Sequence, residues 1–200
     1  MAVLESYSMA QKQIRLLSQI LPESWELIFV DDGSVPSIPI PETVHKNFVL
    51  VRTGEVRKPG EWTQHLAINK AVEIARGEYI IKNDVDHVFT SGVIEVISEF
   101  KGDMLLFRRE AGYLSEDLTI TSLKNQHPVH SPIDDIYVVR KRIFQDMGGY
   151  PVEATRKYGG MGRFLWKYSE AHEARHIPEK ALIYVVPDDR ETYHNLVRVV

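Results

Sequence analysis

Trp25-Glu26-Leu27-Ile28-Phe29-Val30-Asp31-Asp32-Gly33-Ser34 is a near-continuous apolar run that stops abruptly in an acidic turn. A strand with one solvated face alternates apolar and polar residues, so an unbroken run of this length reads as a strand buried on both faces. Its polar residues collect at the carboxyl end. The arrangement recurs downstream, where residues 78–82 read as a strand leading straight into Asn83-Asp84-Val85-Asp86-His87. Helical patterns separate the strands. Ala10, Ile14, Leu17 and Leu21 share one helix face, opened by a Ser8–Gln11 capping box and followed by Pro22. Ala67, Ala71, Ile74 and Ala75, extended by Trp62 and Leu66, predict a helix over 61–76 with Gly77 as terminator. Ser91 is placed to cap a third helix that buries Val93, Ile97 and Phe100.

Shorter strands are predicted at 2–5, 48–51, 104–107, 136–140 and 181–186, with helices at 142–147 and 163–172. Residues 35–41 hold three prolines and read as an extended loop. The polar, aperiodic stretch 109–132 is long for a loop in a compact domain and is expected to form a lid on the acceptor side. The tail 187–200 carries no assignment. Strands alternating with helices define an α/β class, expected here as a single domain with a mostly parallel central sheet flanked by helices. No repeat or linker divides the chain.

At 200 residues and 44% hydrophobic, the chain is long enough to bury a sizeable core. Its apolar runs fall far short of the roughly 20 residues that cross a bilayer, and no basic patch precedes an apolar leader. A protein without a membrane span, in the cytoplasm, is the expectation. The absence of cysteine excludes disulfides, thiolate zinc sites and cysteine nucleophiles. A formal charge of −4 argues against a surface that grips nucleic acid throughout, leaving only a local basic groove for any polyanion.

In an open α/β sheet, ligands bind outside the carboxyl ends of the strands. Asp31-Asp32 and Asp84-Val85-Asp86 both sit there and are expected to face one crevice. An Asp-x-Asp presents two carboxylates toward one point, an oxygen set suited to Mg²⁺ or Mn²⁺ together with phosphate oxygens. One such pair alone is more often a solvated turn. Two in succession after buried strands point to a metal-plus-diphosphate site.

The strand end Trp25 to Ser34, Asn69-Lys70-Ala71, Ala75-Arg76-Gly77-Glu78-Tyr79-Ile80-Ile81 and Asp84-Val85-Asp86 resemble, in order and spacing, the nucleotide-sugar half of family 2 glycosyltransferases with the GT-A fold. Val139-Arg140-Lys141-Arg142, Phe144, Gly148-Gly149-Tyr150 and Tyr158-Gly159-Gly160 are similar to the family's acceptor-half segments, and Tyr193-His194-Asn195 to its C-terminal aromatic-histidine pair. The resemblance implies a nucleotide-sugar half over 1–107 and an acceptor half over 108–200. It implies a nucleoside-diphosphate sugar, with a UDP-sugar favoured, lying across the strand ends, and Mn²⁺ or Mg²⁺ bridging its phosphates. Asp32 would lie near the base, Asp84 near the ribose or sugar, and Asp86 on the metal with His194; Asp31 and Asn69 complete the donor motif. The implied acceptor is a hydroxyl on a saccharide or other polymer.

Two departures accompany these matches. Where the family shows Glu-Asp after the Gly-Gly, this chain has Met161-Gly162 followed by Arg163, which leaves Asp134, Asp135 and Glu153 as candidates to deprotonate the acceptor. Glu5-Ser6-Tyr7-Ser8 replaces a Pro-Thr-Tyr-Asn type of segment near the base site. A nucleotide-sugar-binding protein that has lost turnover is therefore an alternative. Another is a transferase acting on hydroxylated bases in DNA, guided by Arg52, Arg57 and Lys58 but disfavoured by the acidic balance. A nucleotidyltransferase ranks lower, because no Gly-rich loop follows the first strand. Gln64 and His65 open a helix beside the site, and Trp62, Trp166 and Tyr168 suit either stacking on a ligand or a place in the core.

Overall fold

The computed structural model describes residues 2–3, 7–53, 63–122, 136–153 and 159–185. In chain order these form β1 (Ala2–Val3), α1 (Tyr7–Ile20), β2 (Leu27–Asp31), β3 (Phe48–Arg52), α2 (Gln64–Ile74), β4 (Tyr79–Lys82) and β5 (His87–Val88). There follow α3 (Ser91–Glu99), β6 (Met104–Leu114), β7 (Ile120–Ser122), β8 (Tyr137–Arg140), α4 (Lys141–Asp146), α5 (Gly159–Ala171) and β9 (Arg175–Val185). The helix expected to be capped at Ser8 already includes Tyr7, so Ser8 lies inside its first turn.

The strands form two sheets. In the first, β1, β2 and β3 lie side by side and all parallel, with α1 joining β1 to β2 and the irregular stretch 32–47 joining β2 to β3. The second runs β4-β8-β6-β9-β5, with β7 on β6, and only the β6–β9 pair is parallel. The parallel expectation therefore holds for the first sheet and only in part for the second. The reason is topological. β4 and β6 point the same way, but β8, arriving from the second half of the chain, inserts antiparallel between them.

Period-2 alternation assigns the strand residues to opposite faces. Leu27, Phe29, Leu105, Phe107 and Val138 pack with α1 and α3 on one face. Val30, Met104, Leu106, Tyr137 and Val139 pack with Ile68 and Val72 of α2 and with Phe144, Tyr150, Phe164 and Tyr168 on the other. The result is a layer of strands between two layers of helices. A smaller cluster of Leu16, Val88 and Leu114 packs the back of α1 against the β6–β7 hairpin, where Lys12 also meets Glu116 at 2.6 Å.

The stretch expected to be an irregular lid is partly strand: β6 continues through 109–114 and β7 pairs back on it. Residues 123–132 of that stretch lie outside the described residues. A cavity of about 530 Å³ opens between the two sheets, bordered by Leu17, Leu27, Val72, Ile80 and Phe100. It reaches Lys82 and Asn83 but none of the strand-end aspartates, and so is a packing gap beside the site.

β2 begins two residues later than its apolar run because both flanking residues are engaged elsewhere. The Trp25 N–H closes a turn onto the Pro22 carbonyl at 2.9 Å. Glu26 accepts the Arg76 N–H and Nε–H, both at 2.6 Å, and the Gly77 N–H at 3.2 Å, tying the start of β2 to the end of α2. Partial burial opposes the Glu26 charge, but these bonds and the Arg76 charge outweigh it and hold its carboxyl below the ordinary 4.5. A folded-state pKa below the unfolded one adds stability above the unfolded value and loses it as pH falls through the folded value. Glu26→Gln is expected to lower unfolding free energy by roughly 1–2 kcal/mol at pH 7. In urea denaturation followed at stepped pH, the gap between parent and variant should close below pH 4.5.

Candidate active site

At the end of β2, Asp31 is 2% exposed and both its oxygens are engaged. Oδ1 accepts the Ser34 N–H and Oδ2 the Ile38 N–H, each at 3.0 Å, with Arg52 Nε 3.8 Å away. The carboxylate folds the proline-rich loop back so that Ile38 enters the core; Gly33, at φ 88°, makes the turn that starts it. Asp31 therefore shapes the loop. Asp32 is 5% exposed and accepts a 3.4 Å hydrogen bond from the Thr63 hydroxyl.

Thr63 and Gln64 begin α2, and Gln64 Nε2 donates to Asp84 Oδ1 at 2.7 Å. Two consecutive residues thus reach Asp32 and Asp84, which brings the two acidic strand ends together at one helix start. Asp84 Oδ2 is taken by the ammonium of Lys82 at 2.7 Å, a side chain only 2% exposed. An amine buried so deeply needs a polar partner, and Asp84 supplies it.

Asp86 differs: 43% of its side chain is open. Its Oδ1 meets His87 Nδ1 at 2.7 Å, with the His87 ring buried. Desolvation works against the Asp86 charge, but the hydrogen bond and charge of His87, with Lys82 behind it, prevail and keep its carboxyl below the ordinary 3.8. The ligand atoms of Asp84, Asp86 and His87 lie within 4.8 Å of one another. Carboxylate oxygens at this spacing, one of them open to solvent and kept ionised, fit a hard divalent cation such as Mg²⁺ or Mn²⁺.

Asn69, expected at the donor, has both ends of its amide on the Tyr150 backbone: Nδ2 donates to the carbonyl at 2.9 Å and Oδ1 accepts the N–H at 3.0 Å. Gly148 and Gly149, at φ 83° and 64°, turn the chain there. A Cβ on Gly149 would meet Asn69 Oδ1 at 2.9 Å, so the glycine is what lets Asn69 approach. The Tyr150 hydroxyl in turn bonds that of Tyr137, which pairs with Lys82 across β4 and β8. Burial raises the Tyr137 phenol well above its usual range, its bond to Tyr150 opposes the rise, and the Asp84 charge adds to it. Asn69 thus supports the site floor from below.

Of the other expected residues, Glu153 is exposed in the turn after Tyr150, His65 is buried in α2, Trp166 is exposed on α5 and Tyr168 is core. Burial carries the Tyr168 phenol up to about 12. Gly162 lies in the first turns of α5, where the sequence offers no carboxylate. Arg57, Lys58, Trp62, Asp134, Asp135, Tyr158 and Tyr193-His194-Asn195 fall outside the described residues. The sequence reading missed Lys82 and Gln13, whose amide holds the Asp86 turn. Both had a signal: a cation ending an apolar strand two residues before an aspartate, and an amide on the apolar stripe of α1.

The family model described as Glycosyl transferase family 2 matches residues 8–103. The sequence matches no curated protein at a significant level. Among solved structures, S. aureus TarS 1-349 superimposes with a TM-score of 0.62 at 16% identity, over 99% of this chain and 63% of that one. The mannosyltransferase PcManGT from Pyrobaculum calidifontis, in complex with GDP-Man and Mn²⁺, gives 0.62 at 13% identity, over 98% of this chain and 59% of that one. TarS 1-349 in complex with UDP-GlcNAc gives 0.60 at 15%, over 96% and 60%. The chain thus spans about three fifths of the length of these three structures. Residues 8–103 are thus similar in sequence to Glycosyl transferase family 2, and the chain shares the α/β fold of these GT-A structures. No helix among the described residues is long and apolar enough to cross a membrane.

Asn69→Ala leaves the Tyr150 N–H and carbonyl without their partner in a partly buried place. It is expected to cost about 1–3 kcal/mol of unfolding free energy, read by urea denaturation. An unchanged midpoint would show that the amide is not what holds Tyr150.

Proposed function

We propose that the protein transfers a sugar from a nucleoside-diphosphate sugar, most simply a UDP-sugar, to a hydroxyl on a saccharide or other polymer, using Mn²⁺ or Mg²⁺. The observation that carries this reading is the meeting of Asp32 and Asp84 at the start of α2, with Asp86 open and ionised beside them. The nucleotide-sugar and Mn²⁺ complexes of structures sharing the fold support it.

In this reading residues 1–107 form the donor half and 108–200 the acceptor half. Asp32 meets the base, Asp84 the ribose or sugar, and Asp86 with His194 holds the metal; Asp31 and Asn69 keep the surrounding loops in place. The acceptor oxygen forms a bond to the anomeric carbon while the bond from that carbon to the diphosphate oxygen breaks. The bonding pair leaves with the diphosphate, where a divalent cation held by Asp86 would supply Lewis-acid neutralisation of the developing charge. The acceptor proton passes to a carboxylate, for which Asp135 and Glu153 are the proposed bases.

A second reading, donor binding without turnover, is favoured by one feature: Met161-Gly162-Arg163 stands in α5 where a carboxylate base is expected. Calorimetric titration with UDP, GDP, CDP and their sugar conjugates, with Mn²⁺ and then with chelator, addresses both. The proposal predicts Mn²⁺-dependent binding of one nucleotide and release of free diphosphate from its sugar conjugate. Binding without release selects the second reading, and no binding at all removes both. Asp86→Ala is expected to weaken Mn²⁺-dependent binding at least roughly tenfold, a loss that even outer-shell changes produce. Because the alanine also removes the partner of the buried His87 ring, the variant is expected to lose about 1–3 kcal/mol of unfolding free energy, and binding is compared well below its melting transition.

A further inference from the structure

The turn that carries Asp86 is fastened by a side chain from the far helical layer. Gln13 of α1 is fully buried and shares the apolar stripe of Ala10, Ile14 and Leu17. Its Nε2 donates to the carbonyls of Val85 at 3.0 Å and His87 at 2.8 Å, the two residues flanking Asp86. Both partners are carbonyl oxygens, so the amide nitrogen must face them. Asn83 Nδ2 donates to the same His87 carbonyl at 2.9 Å.

These carboxamides are costly to keep. Gln13 Oε1 and Asn83 Oδ1 are buried and accept no hydrogen bond from any described residue. A buried acceptor left unpaired is a penalty that an apolar side chain of the same shape would not carry. What distinguishes Gln13 from such a side chain is the pair of carbonyls its nitrogen holds. With both carbonyls anchored to a core helix, the backbone from which Asp86 projects cannot shift without opening that core. The Asp86–His87 contact is fixed by the same anchor, since His87 supplies both the imidazole and one of the carbonyls.

We propose that Gln13 is a positioning residue for the Asp86 carboxylate, setting the placement of the 84–87 turn on which metal-dependent donor binding depends. This inference rests on the donor-site reading given under Proposed function.

Gln13→Met keeps the length and apolar fit of the side chain while removing both donors and the unpaired oxygen, so the variant is expected to fold. Two measurements are made on parent and variant: amide hydrogen exchange across 84–88, and calorimetric binding of UDP and of GDP, each with and without Mn²⁺. The expected result is exchange accelerated about tenfold or more in that segment alone. Mn²⁺-dependent affinity should fall by roughly 10–100-fold, the range for residues that orient a metal ligand, while metal-free nucleotide binding stays unchanged.

Parental exchange rates across 84–88 in the variant would overturn the inference. So would equal weakening with and without Mn²⁺, which marks a merely structural role. If the parent itself shows no Mn²⁺-dependent binding, the donor reading fails and the inference falls with it. If the parent binds and the variant matches it, only the inference falls. Should Gln13→Met not fold, Asn83→Ala, which removes the other donor to the His87 carbonyl, is read by the same two measurements, with the same result expected.

Discussion

Lys82 places an ammonium group at the end of a strand in the middle of the protein, 2% exposed, and the site is organised around what that charge requires. A cation so buried needs a carboxylate close by. Asp84, two residues on, supplies it at 2.7 Å and gives its other oxygen to Gln64. Both Asp84 oxygens are thereby engaged, and the acid left open at this strand end is Asp86. The division of labour between two aspartates that look alike in sequence follows from one buried lysine.

The surrounding layers hold that arrangement from three sides. α2 brings Thr63 and Gln64 to the two strand ends and, through Asn69, secures the Gly148-Gly149-Tyr150 turn. Tyr150 and Tyr137 join hydroxyl to hydroxyl beneath Lys82, and stacking of Tyr137 on Phe164 continues the contact into α5. From the opposite face α1 reaches the Asp86 turn through Gln13. The acids therefore stand on a rigid floor, as a site that binds a charged ligand with little reorganisation requires.

The first half of this architecture was largely legible in the sequence. Leu27 to Val30 and Tyr79 to Ile81 are continuous apolar runs, each ending in a charged residue, as strands covered on both faces by other layers are expected to read. The α1 and α3 stripes were equally clear. β6 was half hidden because Arg108, Arg109 and Glu110 interrupt its apolar pattern where it pairs with β9 in a ribbon. β9 was hidden by Pro178-Glu179-Lys180, which fall where the register shifts: Phe107 pairs with Ile177 but Arg108 with Ala181. A proline in a strand is accommodated at such an irregularity, and the sequence rule that proline ends a strand misleads there. Within the site, motif spacing located Asp32, Asp84 and Asp86 but not their partners. Asp31 and Asn69 satisfy backbone groups distant in sequence, and no local pattern announces that.

The central claim is that Asp86, and not Asp84, is the carboxylate that meets the metal and diphosphate. A crystal structure of the protein with UDP and Mn²⁺, using the anomalous signal of manganese to place the ion, tests it most directly. The account predicts the ion on an Asp86 oxygen, with Asp84 still bonded to Lys82 and Gln64. An ion seated on Asp84 with the Lys82 pair broken, or one bound away from both strand ends, would contradict it.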